Sequence, residues 1–316
     1  MRFDDIVPDR RLWGAVENAM RKRGHHRHAG TRLEAGHRTN VLALVVPLRA
    51  GAHDVVVREF VAAAIAAAGA RDHALLLLTA EEGPAALRRA VSSSVADGVV
   101  VMDVEAADPR VPVLLGLGRP AVLIGLPDRP RGLGCLDLDF AAAGALSLGH
   151  LAGLGHEHVA LIGSPPAAYR RGSSSAARLA LGFTAEAARR GVRSTTLAWG
   201  TTHRRTLRGL DALFARHPEV TGLVVHNETA LPAVLAGLHQ RGLRVPEDVS
   251  LVAVCPDSLT AHSLLELTCV AIPAREIGAL AVETVIGQLD DGTAPGTRLL
   301  APKLAARAST APPRLL

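Results

Sequence analysis

Short apolar runs, alternating with longer Ala-, Leu- and Arg-rich stretches, constrain this chain more than any other feature. A first series comprises "VLALVVP" (41–47), "HALLLLT" (73–79), "DGVVVMD" (97–103), "PAVLIGL" (120–126) and "GCLDLD" (134–139). These runs are mostly continuous rather than alternating, which suits strands covered on both faces of a parallel sheet. A second series follows: "HVALIG" (158–163), "STTLAW" (194–199), "VTGLVVH" (220–226) and "VSLVAV" (249–254). Between them, Ala141 to Ala152, Ala176 to Arg190 and Thr229 to Arg241 read as helices. Several of these end at a glycine (Gly153, Gly191, Gly242), where a left-handed cap favours that residue. Two such series predict an α/β protein of two doubly wound parallel-sheet subdomains. With 316 residues, 48% of them hydrophobic, the chain can fill a core in each. Near the end, Arg275 to Leu289 reads as an amphipathic helix and "TRLLAPKLAARAS" as a short strand pair.

The net charge of +5 permits an acidic partner without requiring one, so the distribution must decide. Lysine occurs only at Lys22 and Lys303, and arginine supplies nearly all the positive charge. The densest stretch runs from Arg21 to Arg38, with one acid at Glu34. Such a run is either a solvated arm or a segment that tracks phosphates. Its histidines, His25, His26 and His28, lack a companion acid or cysteine and make a poor ligand set, so no metal is expected. Cys135, Cys255 and Cys269 are far apart and form no C-x-x-C pair, which fits a reducing cytoplasm. The opening "RFDDIVPDRRLW" lacks the apolar core of a secretory signal, and no segment sustains the roughly 18 apolar residues of a membrane span. A cytoplasmic protein without membrane contact is expected. There is no G-x-x-x-x-G-K-[ST], no G-x-G-x-x-G after the first strand, no G-x-S-x-G and no H-E-x-x-H. Neither an enzyme nor a cofactor is therefore expected, and "RRGSSSAAR" reads as a turn and a helix start.

Five stretches resemble the LacI/GalR family of bacterial transcription regulators. "RVPEDVSLVAV" (244–254) is close to that family's "RVPEDVSVVGF", and "HLAGLGHEHVALIGSPP" (150–166) to its "HLLELGHRRIAFIGGP". "PAREIGALAVETVIGQLDDG" (273–292), "ARASTAPP" (306–313) and "HRTNVLALVVP" (37–47) follow the family in the same order. Upstream, "DRRLWGAVENAMRKRGHH" (9–26) resembles the third helix of its DNA-binding headpiece, with Leu12, Val16 and Met20 near one face and Gly24 as cap. "AGTRLEAGHRTN" then occupies the place of its hinge. Only Met1 to Val7 precede Pro8, where the family has two further helices. The expectation is an N-terminally shortened version of a full repressor, the alternative a regulator that has lost base readout.

The resemblance implies a type I periplasmic-binding-protein-like core behind a helical remnant. Residues 1–40 would hold the partial headpiece and hinge. Residues 41–139 plus 271–296 would form the N-terminal effector-binding subdomain, and 140–270 plus 297–316 the C-terminal one. It implies a repressor that binds operator DNA as a homodimer, once the headpiece is completed upstream, and a small-molecule effector, a sugar or related polar metabolite, in the cleft. On the DNA side it points to Arg27, Arg32 and Arg38, and to Leu33, which sits one place early and beside Glu34. In the cleft it points to Asn227 and Glu228 of "HNETA", to Asp139 and Phe140, and to Arg178, adjacent to the usual arginine position now held by Leu179. It points also to His53 and Asp54, from a loop that departs from the family's, and to Asp257, two places after a cysteine (Cys255) that stands where the family has an aspartate. Two other readings share the same core: a solute-binding protein of a transport system, and a truncated sensor acting through mixed dimers.

Overall fold

The computed structural model describes residues 38–47, 54–79, 83–92, 95–200, 202–261 and 266–314. Arg27, Arg32, Leu33 and His53 lie outside them. The fold below is that of the compact unit Thr39–Leu316.

The first lobe begins with β1 (Val41–Val46), α1 (Asp54–Gly69), β2 (Ala74–Thr79), α2 (Gly83–Ser92) and β3 (Gly98–Val101). It continues through α3 (Val111–Gly116), β4 (Ala121–Ile124) and β5 (Gly134–Leu138). The second comprises α4 (Phe140–Gly153), β6 (His158–Gly163), α5 (Pro166–Arg171), α6 (Ser174–Arg190), β7 (Arg193–Ala198), α7 (His203–Arg216) and β8 (Gly222–Val225). After a 3₁₀ turn at Glu228–Ala230 come α8 (Leu231–Gln240), β9 (Ser250–Cys255), α9 (Asp257–Ala261) and β10 (Thr268–Ala271). The chain then returns to the first lobe with α10 (Ala274–Asp290) and β11 (Thr297–Leu300), and ends in the second with β12 (Leu304–Ala305). Strand orders are β11-β5-β4-β3-β1-β2 and β12-β10-β9-β8-β6-β7. Every pairing is parallel except β10 with β12.

The continuous apolar runs are explained by helices on both faces. Along β1, Leu42, Leu44 and Val46 enter the layer that holds Phe60, Val282 and Val285, while Ala43 and Val45 enter the layer of Leu87, Val111 and Leu114. In β6, Val159 and Leu161 face Leu148, Leu179 and Phe183, whereas Ala160 and Ile162 face Leu210, Val234 and Leu238. The α4–α6 contact depends on two glycines, since a Cβ on Gly182 would fall on the Ala141 carbonyl and one on Gly144 on the Leu179 carbonyl. That close approach gives the Gly182-Phe183 pair its reason, with Phe183 fully buried beside it.

Two sequence expectations need correction. Thr297–Leu300 pairs with Cys135–Leu138 in the first sheet, so the last crossing falls between Leu300 and Leu304 rather than near Thr297. The left-handed residue after α4 is Gly155 (φ 98°), not Gly153, because the helix end runs on through an αR cap at Leu154. Gly191 and Gly242, each with φ 70°, are left-handed as the sequence suggests.

The C-terminal tail is tied to the second sheet by buried hydrogen bonds. Ser309 Oγ accepts from Thr268 N at 2.7 Å and donates to Leu251 O at 2.6 Å. His156 bridges Thr221 Oγ1 at 2.8 Å and the Ala311 carbonyl at 3.1 Å, and burial lowers its pKa. Thus His156 of "GHEH" and Ser309 of "ASTAPP" are fold signals. At the other end of the unit, buried Asp97 accepts from the backbone N–H groups of Thr39 and Asn40, both at 2.8 Å, and so fixes where the chain enters β1.

Candidate functional site

A cavity of about 450 Å³ lies between the two sheets. Its wall comes from residues just beyond or at the carboxyl ends of parallel strands: Pro47, Asp103, Gly125, Pro165, Gly200 and His226 follow β1, β3, β4, β6, β7 and β8. Ligands of doubly wound sheets bind at such ends, because the connecting loops diverge there and leave a crevice.

The first lobe contributes an apolar wall with two acids. Val56, Phe60, Met102, Ile124, Ile272 and Ile277 line it, joined by Asp103 and Asp137. The loop after β3 is braced from behind by buried Arg110, which donates to the carbonyls of Met102 at 3.1 Å and Asp103 at 2.9 Å. Arg110 also pairs with Asp108 at 2.6 Å; burial opposes ionisation of Asp108, but that guanidinium holds its carboxyl below the usual range. Met102 and Asp103 are therefore presented on a fixed loop.

Both acids of this wall are bonded across the cleft. Asp103 pairs with Arg171 at 3.2 Å, and Arg171 also approaches Glu105 at 3.7 Å. Asp137 pairs with Arg178, whose guanidinium lies 5.7 Å from the Phe140 ring centroid. Burial pushes the Asp137 carboxyl up to about 7, against the pull of Arg178. Backbone bonds continue this seam, from Ala106 N to the Gly172 carbonyl at 2.7 Å and from Ser174 N to the Val104 carbonyl at 3.2 Å.

The second lobe contributes a polar wall: Arg170, Arg171, Ser173, Ser175, Thr202 and Arg205, with His226 on the floor. Ser164 Oγ lies 3.4 Å from His226 Nδ1, and the Phe140 ring lies 5.5 Å from the imidazole. A Cβ on Gly200 would sit 2.8 Å from Arg205 Cδ, so the absence of a side chain there lets the arginine stem lie over the backbone.

The expected site residues are placed unequally. Phe140 lines the cavity, and Arg178 stands behind it, bonded to Asp137. Asp139 does not line it; its carboxylate accepts from Ala142 N at 3.0 Å as the N-cap of α4. Asn227 is buried with its amide turned inward, donating to the Trp199 carbonyl at 3.2 Å and accepting from Thr229 Oγ1 at 2.7 Å. Glu228 is buried in the 3₁₀ turn and is absent from the lining. Asp257 is an exposed residue at the start of α9, paired with Arg307. Asp54 is the first residue of α1, and Arg38 is exposed. Leu179 and Cys255, at the two positions that depart from the family in charge, are fully buried, and Cys255 Sγ lies 3.9 Å from Cys269 Sγ.

Sequence reasoning missed Asp103, Asp137, Arg170, Arg171, Arg205 and His226. Asp103, Asp137 and His226 lie at or just past the carboxyl end of a strand, whereas Arg170, Arg171 and Arg205 lie in the helices that follow β6 and β7, and which of them converge is a tertiary fact. One cluster with metal-ligand chemistry occurs among the described residues, at His158, His217 and Glu219. Its carboxylate is already shared by His158 at 3.0 Å and Arg193 at 3.1 Å.

Comparison with known proteins places this architecture. Residues 148–310 match the periplasmic binding protein-like domain family. The HTH-type transcriptional regulator AglR of Rhizobium meliloti is 28% identical over 309 residues, covering 94% of this chain and 85% of its own. A LacI family transcriptional regulator from Mycobacterium smegmatis superposes with a TM-score of 0.68 at 26% identity, over 87% of this chain and 100% of that one. A CelR–cellobiose complex superposes with a TM-score of 0.72 at 22% identity, over 97% and 92% of the two chains. The chain belongs to the LacI/GalR family of transcriptional regulators, built on a periplasmic-binding-protein-like core.

Proposed function

We propose that this chain binds operator DNA as a homodimer in the cytoplasm, where that DNA lies, and that a small-molecule effector in the interlobe cavity sets its affinity. The observation that carries this reading is a single cavity wall drawn from both lobes, with cross-lobe ion pairs at its edge. A ligand touching both walls binds more tightly to one lobe arrangement than to another, and that difference is what shifts a two-state equilibrium. The CelR homologue binds cellobiose at the level of its solved complex, which supports an effector site in this fold. Binding rather than catalysis is the better reading of the polar floor, because Ser164 is itself buried and its contact with His226 is long.

The test is DNA binding by the native full-length protein across a salt series, comparing promoter DNA beside its own gene with random duplex. A preference of about 10³ or more is the expected result for specific recognition. Equal affinity for both, with the steep salt dependence of pure phosphate contact, would contradict the proposal.

A further inference from the structure

The two walls of the cavity differ in what they leave available to a ligand. On the first lobe the exposed surface is hydrocarbon, from Val56, Phe60, Met102, Ile124 and Ile272, and both acids are engaged by Arg171 and Arg178. Polar groups suited to sugar hydroxyls are engaged as well. Asn227 serves Trp199 and Thr229, and Asp139 serves the start of α4. The second lobe adds two cations. Arg170, in the last turn of α5, and Arg205, in the first turn of α7, line the cavity from the second lobe, and neither has an acidic partner among the described residues. Both residues are exposed. Ser173, Ser175 and Thr202 add hydroxyls on the same side.

Resting on the effector-binding reading above, we propose that the ligand of this cavity is a small organic anion with an apolar body. Its head is held by Arg170 and Arg205 and its body lies against Phe60, Met102 and Ile124. A guanidinium fork matches a carboxylate or phosphate in geometry and charge, whereas a neutral polyol gains little from it. An apolar wall rewards hydrocarbon and leaves hydroxyls without partners.

The test is calorimetric titration of the native full-length protein with matched probes. These are benzoate, phenylacetate and cyclohexanecarboxylate, each beside its neutral amide, with phenyl phosphate for the other head group and glucose and cellobiose as neutral sugars. At least one anion should bind at least about tenfold more tightly than its neutral match, the effect of losing a charge-assisted bond. That preference should vanish in the Arg170→Gln/Arg205→Gln double variant with an unchanged melting temperature. Phenyl phosphate exceeding benzoate would identify a phosphate head, and the reverse a carboxylate. Binding of a neutral sugar that is indifferent to the double variant would overturn the inference, and so would the absence of binding by every anion at millimolar concentration. Neither result touches the effector-regulated repressor reading if the promoter DNA preference stands, whereas loss of that preference fails the reading itself.

Discussion

The two lobes use one strand plan twice, yet their cavity walls are opposites. The first lobe's wall is an extension of its core: Phe60 is buried against Val282 and Val285, and Ile277 against α1. The second lobe's wall has a buried floor at Ser173 and His226 but an exposed rim at Arg170, Thr202 and Arg205. One wall is therefore held by packing and cannot be changed without cost to the fold, while the rim of the other is free to carry whatever chemistry the ligand requires. Exposed side chains at the ends of short connecting elements are positioned by the scaffold without being part of it.

The sharpest way to break that comparison is Phe60→Ala, which removes a ring shared by the core and the cavity. It should cost about 3–5 kcal/mol in urea denaturation. A loss below about 1 kcal/mol would show that this wall is not core. Next is Gly182→Ala, in the second lobe's scaffold rather than its wall. Its Cβ meets a carbonyl across α4–α6, so about 1–3 kcal/mol should be lost, read as a lower denaturation midpoint at unchanged slope.

A pH series on Asp137→Asn sharpens the comparison at the seam. Asp137 keeps its proton in the folded chain up to about 7, while an unfolded aspartate releases it near 3.8. Between those values the folded state binds more protons than the unfolded one, so this group's contribution to stability falls as pH rises and levels off above about 7. The stability gap between wild type and variant should therefore change across that window, and a gap constant with pH would remove Asp137 from the account. The smallest effect belongs to the second wall: Arg205→Ala should leave stability within about 0.5 kcal/mol of wild type. A cost of several times that amount would mean the wall is structural after all.

How much of this was legible in the sequence follows the same division. β1, β3, β6 and β9 lie within two residues of their apolar runs, because burial on both faces leaves no room for polar residues. β11 pairs in the first sheet, whereas the family resemblance puts residues 297–316 in the second lobe; Thr297–Leu300 is exposed along most of its length, and a mostly exposed edge strand gives no periodic signal of its partner. Phe140, which the resemblance points to, lies two residues past β5 at the crossing between lobes and lines the cavity. Asn227 and Asp139 were readable as positions but not as directions: a turn aims the first at Trp199, and a helix start claims the second. Arg170 and Arg205 lie in helices whose composition is merely arginine-rich, and only the fold brings them to one wall.

The central claim is that the cavity controls DNA binding, and one measurement reaches it directly. The affinity of the native protein for its promoter DNA would be determined with and without the small-molecule fraction of its native cell, in wild type and in Ala167→Trp, a substitution on the exposed part of the cavity wall. The account predicts a change of about 5- to 150-fold in wild type that is lost in the variant. An affinity indifferent to the metabolites, or a response that survives the filled cavity, would contradict it.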